Sequence, residues 1–182
     1  ATQRCAEAQE VLSRAIEIEP ETGMIYLSRG QLAYNCYGAQ YEGTWRDALQ
    51  AVEHYPWGLE PLRFLRDMAV ERGELETALE AARKVYLIVP YDPRSALALA
   101  QIALTLGDAQ RDEGMTDEAL ALYREAAQAL SLTAEGRRGN SSDMLRLGTT
   151  SLDLGDRFGD SGLPEEALEC YRTATVALER AQ

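Results

Sequence analysis

Lysine is almost missing from this 182-residue chain: Lys84 is the only one among 18 basic side chains, and 30 acidic residues oppose them. The resulting net charge of −12 argues against a general nucleic-acid binder, which needs clustered Lys and Arg to neutralise phosphates, and no nucleic-acid partner is expected. Long apolar runs are also missing, so no stretch approaches the roughly 18 residues of a membrane-spanning helix, and direct membrane insertion is not expected. The opening ATQRCAEAQE does not read as a signal peptide. Cysteine is sparse. Cys5, Cys36 and Cys170 have no CxxC or CxxH spacing, which predicts reduced, mostly buried thiols and a cytoplasmic location.

Catalytic and cofactor-binding constellations are missing in the same way. His54 is the only histidine, with no Cys or carboxylate at ligand spacing, and reads as a helix-end residue. Asp156–Ser161 lacks the D-x-D-x-D-G order of a calcium loop. Gly155, Gly159 and Gly162 follow no strand, so they do not cradle a nucleotide. No nucleophile–base pair can be named. No enzyme, cofactor or metal is expected.

What the chain does have is alanine, 46% apolar content and internal repetition. The stretch Gly73–Pro90, GELETALEAARKVYLIVP, puts Gly73, Leu75, Ala78, Ala82, Val85 and Pro90 in a pattern that makes one narrow stripe on a helix. Its small side chains admit a second helix at close range, and the proline ends the run. Ala8, Leu12, Ala15 and Pro20 repeat the later part of the pattern. Gly114, Ala119, Tyr123 and Ala126 repeat the earlier part, as do Gly162, Ala167, Tyr171 and Ala174.

This pattern resembles the second half of a tetratricopeptide (TPR) repeat, in which W-x2-L-G-x2-Y, A-x3-F and P recur over about 34 residues. The resemblance implies an all-α fold: antiparallel helix pairs stacked as a right-handed α-solenoid. In that register the chain is a single array over 1–182. It starts with a half repeat at 1–20 and an irregular repeat at 23–56, with Asn35–Glu42 as an insertion. The best-matched repeat is 59–92, and elongated repeats follow at 93–135 and 141–182. Ala119 and Ala167 stand 48 residues apart, about 14 beyond the family period. Lengthening both helices of a pair by nearly two turns each keeps the hairpin matched. The alternative is that 108–113 and 156–161 are loops. Gly136–Ser142 is the most loop-like segment.

The resemblance further implies binding through a concave face lined by the first helix of each pair. Carried over by position, that face is Leu27, Gln31, Tyr34 and Asn35, then Arg63, Phe64, Asp67 and Glu71. The elongated pairs supply Arg94, Leu97, Gln101 and Leu104, then Leu145, Arg146, Thr149 and Leu152. Helix packing is the competing reading of the leucines. The lysine–asparagine clamp of chaperone-tail TPR domains is absent. The expected function is a non-catalytic protein–protein interaction scaffold that binds a peptide or helix, as a module of a larger protein. The alternative is a regulatory or sensor region of a transcriptional regulator, or the soluble tail of a membrane-bound enzyme. Val11, Leu12, Ala15 and Ile16 at one end, with Leu168, Tyr171, Ala174, Thr175 and Leu178 at the other, predict self-association through terminal helices.

Overall fold

The computed structural model describes residues 2–136 and 139–182, and these contain nine α-helices and no strand. They fall into two compact units, 1–88 and 89–182. The first holds α1 (Thr2–Ile18), α2 (Gly23–Tyr37), α3 (Glu42–His54), α4 (Leu59–Arg72) and α5 (Leu75–Ile88). The second holds α6 (Pro93–Asp112), α7 (Thr116–Glu135), α8 (Ser141–Asp160) and α9 (Pro164–Arg180). No described helix is long and apolar enough to cross a membrane.

Local chemistry sets the helix ends. Gly73, Gly114 and Gly162 have φ between 73° and 84°, a left-handed turn that side-chain-bearing residues rarely adopt. That turn lets the next amide reach back to a carbonyl of the finished helix: Glu74 to Ala69, Met115 to Gln110 and Leu163 to Phe158. These glycines are therefore the hinges between the two helices of a pair, which explains their fixed place in the sequence pattern. Asp92 and Asn140 cap α6 and α8 by accepting the amides of Arg94 and Asp143. Pro93 and Pro164 occupy first-turn positions, where a missing N–H costs nothing.

Packing in each unit follows the small-residue stripe. In the first unit α2 lies against α1, α3 and α4, and α4 against α5; in the second, α6 pairs with α7 and α8 with α9, while α8 also packs on α6 and α9 on α7. Ala78, Ala82, Ala119, Ala126, Ala167 and Ala174 are all buried. A Cβ added at Gly30 would stand 2.9 Å from the Phe64 ring and 3.2 Å from the Asp47 Cβ. At that position only glycine admits α4 and α3 together.

The elongated helices are present. α6, α7 and α8 each have 20 residues, against 14 in α4 and α5. Helix α6 runs through Asp112 and α8 through Asp160, so 108–112 and 156–160 are helical rather than loop. The expected insertion Asn35–Glu42 is only partly irregular: α2 continues to Tyr37, and a tight turn over 38–41 leads into α3. In the segment expected as a loop after α7, Arg137 and Arg138 lie outside the described residues.

The expectation for the cysteines is corrected. Cys5 and Cys36 form a disulfide, with Cα atoms 6.2 Å apart, that ties α1 to α2; only Cys170 is a free thiol. Spacing rules search for cysteines close in sequence, whereas these lie 31 apart and meet because two helices pack together. The basis for expecting a cytoplasmic location goes with the correction. Closing a loop of this length restricts the unfolded chain, so reduction is expected to lower stability by about 3–4 kcal/mol. Denaturant titrations with and without reductant measure this, using Cys36→Ser as the thiol-independent control. Coincident transitions would show that the bond contributes nothing.

Candidate functional site

In the first unit, α2 and α4 lie side by side and their outward faces enclose a groove of about 420 Å³. Its walls are Gln31, Tyr34 and Asn35 from α2, and Phe64, Asp67, Met68 and Glu71 from α4. Both sets recur at helical spacing of three and four, so each helix turns one continuous edge toward the other. Phe64 and Met68 are buried and make an apolar floor. Gly30 leaves room for the Phe64 ring, so the floor depends on a residue that does not touch the groove.

The rim is polar and acidic. The Tyr34 hydroxyl donates to Glu71 Oε1 at 2.8 Å, and this bond, with the Glu71 charge, raises the phenol above its ordinary pKa. Asp67 is paired with its neighbour Arg66 at 2.7 Å. Gln40 donates to the Glu71 carbonyl at 3.1 Å and holds the far end of α4. The groove thus offers an apolar seat beside a carboxylate that is already anchored by a phenol.

Six of the first-helix residues selected from the sequence, Gln31, Tyr34, Asn35, Phe64, Asp67 and Glu71, line this groove. Arg63 stands half-buried outside it and reaches Glu60 at 3.4 Å. Leu27 is buried in the core of the unit, with Ala48, Leu65 and Met68, and is corrected to a packing residue. Leu97 and Leu104 are likewise buried and offer no surface to a groove. The physical reason is rotation: a step of three or four residues misses a whole turn by about 40–60°, enough to carry one end of an edge into the neighbouring helix contact. Arg94, Gln101, Leu145, Arg146, Thr149 and Leu152 are exposed, and Arg94 pairs with Asp143 at 3.5 Å.

A second groove, of about 590 Å³, lies in the second unit and contains none of the selected residues. Helix α7 contributes Arg124 and Gln128, α8 contributes Leu154 and Phe158, and α9 contributes Leu168, Cys170 and Arg172. Arg124 bridges to Glu166 at 3.3 Å between α7 and α9. The Cys170 thiol is pushed up to about 11 by burial, reinforced by Glu169 and Glu166, so it is not a nucleophile at neutral pH. No local pattern marks this groove, because its walls come from α7, α8 and α9, which only tertiary packing brings together.

No family model matches the chain, and no curated protein matches its sequence. Solved structures do match its fold. A crystal structure of MamA protein superposes with a TM-score of 0.57 over 98% of this chain and 85% of that one, at 12% identity. A second crystal structure of MamA gives 0.54 over 98% and 91%, again at 12% identity. The structure MamA MSR-1 C2 gives 0.51 over 100% and 91%, at 18% identity.

Proposed function

We propose that this all-helical array of the tetratricopeptide type is a non-catalytic protein-interaction scaffold whose α2–α4 groove receives a peptide or helix carrying an apolar and a cationic side chain. The observation that carries the reading is the pairing of a buried Phe64–Met68 floor with the Tyr34–Glu71 couple on the rim. An apolar anchor gains by leaving water on such a floor, and a neighbouring Arg or Lys meets the carboxylate. The net charge of −12 steers cationic partners toward the surface. Exposed Arg94, Gln101, Arg146 and Thr149 are proposed as further contacts on the first helices of the second unit. The repeat division into 1–20, 23–56, 59–92, 93–135 and 141–182 is part of the same proposal.

Panning a random peptide library against the full chain tests this reading. Recovered sequences should combine an apolar residue with Arg or Lys. Their affinity should fall at least tenfold, about 1.4 kcal/mol, when the chain carries Tyr34→Phe with Glu71→Gln. Both substitutions are at an exposed rim and leave the floor intact. Peptides that bind the double variant as tightly as wild type would place recognition elsewhere.

Self-association through terminal helices belongs to the same proposal. It is supported by Val11 and Ile18 on α1, and Leu168 and Val176 on α9, all exposed. Light scattering across a concentration series should show a mass that rises with concentration and returns to monomer in Val11→Glu with Ile18→Glu, or in Leu168→Glu. A concentration-independent monomer would end this part of the reading.

A further inference from the structure

The second unit contains the same side-chain arrangement twice, 48 residues apart, once complete and once half-filled. In the complete copy, the Tyr123 hydroxyl donates to Asp108 Oδ1 at 2.5 Å. The Arg157 guanidinium on α8 closes on the same carboxylate, Nε to Oδ1 at 3.0 Å and Nη2 to Oδ2 at 2.8 Å. Phe158, the next residue, meets the Tyr123 ring edge-on with centroids 6.2 Å apart. Leu97 and Leu104 on α6 are 1% and 5% exposed. One arginine and one aromatic thus seat α8 on the α6–α7 hairpin.

The α8–α9 hairpin repeats the receiving half of that joint. Tyr171 donates to Asp156 Oδ1 at 2.8 Å. Gly155 takes the place of Gly107, and an added Cβ at either would run into the tyrosine ring. Leu145 and Leu152 stand where Leu97 and Leu104 stand in the first hairpin, but are 52% and 39% exposed, and Tyr171 is 36% exposed. Among the described residues no cation pairs with Asp156. The carboxylate, the phenol and the two leucines are assembled, and none of the described residues supplies the arginine or the aromatic ring that completes the joint.

We propose that the outer face of α8 and α9, centred on Asp156 and Tyr171, is a docking site for a partner helical hairpin that presents an arginine followed by an aromatic residue. The occupant follows from the joint this chain already makes: a bidentate guanidinium on the carboxylate, an aromatic edge on the phenol ring, and apolar cover for Leu145 and Leu152. A second copy does not fit. Only two arginines in the chain are followed by an aromatic residue, Arg63 before Phe64 and Arg157 before Phe158, and both phenylalanines are buried in their own unit. The site is separate from the α2–α4 groove, so the failure of either proposal leaves the other standing.

The probe is a polypeptide copying residues 139–182, whose α8 face bears Arg157 and Phe158; Leu152→Glu in the probe blocks stacking on itself. The full chain is expected to bind it one to one, with fluorescence anisotropy as the readout. Affinity should fall at least tenfold for the full chain carrying Asp156→Asn with Leu152→Glu, and also for a probe carrying Arg157→Gln. Because a short hairpin can fail to fold alone, a second chain has residues 135–182 appended after Gln182, which preserves the 48-residue spacing. There, Leu152→Glu in the original hairpin should lower the denaturation midpoint, whereas in the unextended chain it should leave the midpoint unchanged. Equal sensitivity of the two chains to Leu152→Glu would overturn the site. Probe binding indifferent to the Asp156 and Arg157 substitutions would also overturn it. A dimer of the full chain that dissociates on Leu152→Glu would make the occupant a second copy and defeat the assignment of the partner.

Discussion

Phe158→Ala should lower the stability of the second unit by about 3–5 kcal/mol, through lost burial and the cavity left behind. Phe158 is fully buried on α8 and packs edge-on against Tyr123, which is fully buried on α7. Its neighbour Arg157 is pinned to Asp108 from the same turn of helix, so α8 cannot slide to refill the space without breaking an ion pair. Phe158→Leu keeps most of the volume and should cost less than about 1.5 kcal/mol. Urea denaturation of both variants, read by circular dichroism, gives the two numbers. Equal losses would show that the site collapses freely and that the ring is not a keystone of α8.

The same cluster makes the second unit sensitive to acid. Hydrogen bonding from Arg157, then from Tyr123, holds the Asp108 carboxyl below its ordinary value, against the opposing pull of burial. A carboxyl with a depressed folded-state pKa contributes stability above its unfolded value, and this contribution is lost as pH falls through the folded one. Tyr123, pushed up to about 12 by burial and by Asp108, remains a donor throughout that range. Acid therefore loosens the joint from the carboxylate side alone.

The fold was legible because its signals are local. Alanines at 78, 119 and 167 mark close helix contacts, glycines at 73, 114 and 162 mark left-handed turns, and the 48-residue spacing of the last two pairs reports longer helices. The α2–α4 groove was legible for a related reason: Gln31, Tyr34 and Asn35 share one helical edge, and Phe64, Asp67 and Glu71 share another. Rotation about each helix axis is set by tertiary packing, which periodicity constrains only to within a residue or so. That is why periodicity leaves both a groove position and helix packing open for Leu27, Leu97 and Leu104, and their burial decides for packing. The Cys5–Cys36 bond depends on how α1 lies on α2, so no spacing in the sequence announces it. The α7–α9 groove has walls from three helices separated along the chain, so no local pattern announces it.

Removing Arg29 is expected to cost about 3–5 kcal/mol, because it leaves a buried carboxylate without its counterion. Arg29 on α2 donates through Nε and Nη2 to Asp47 on α3, at 2.8 and 2.7 Å. Its Nη1 reaches Ser13 on α1 at 3.0 Å, and its guanidinium lies 5.8 Å from the Tyr26 ring centroid. Three helices therefore meet at one side chain, and the bond to Asp47 is the largest influence raising its pKa. The Asp47 side chain is only 3% exposed, so water cannot take over when the guanidinium is gone. Arg29→Met should consequently be far more damaging than the double variant Arg29→Met with Asp47→Leu, in which no charge remains to be stranded. The measurement is a double-mutant cycle in urea, and its expected signature is a double variant more stable than Arg29→Met alone. A double variant whose loss is the sum of the two single losses would mean that Asp47 does not depend on Arg29, and that the ion pair is incidental to how α1, α2 and α3 are held together.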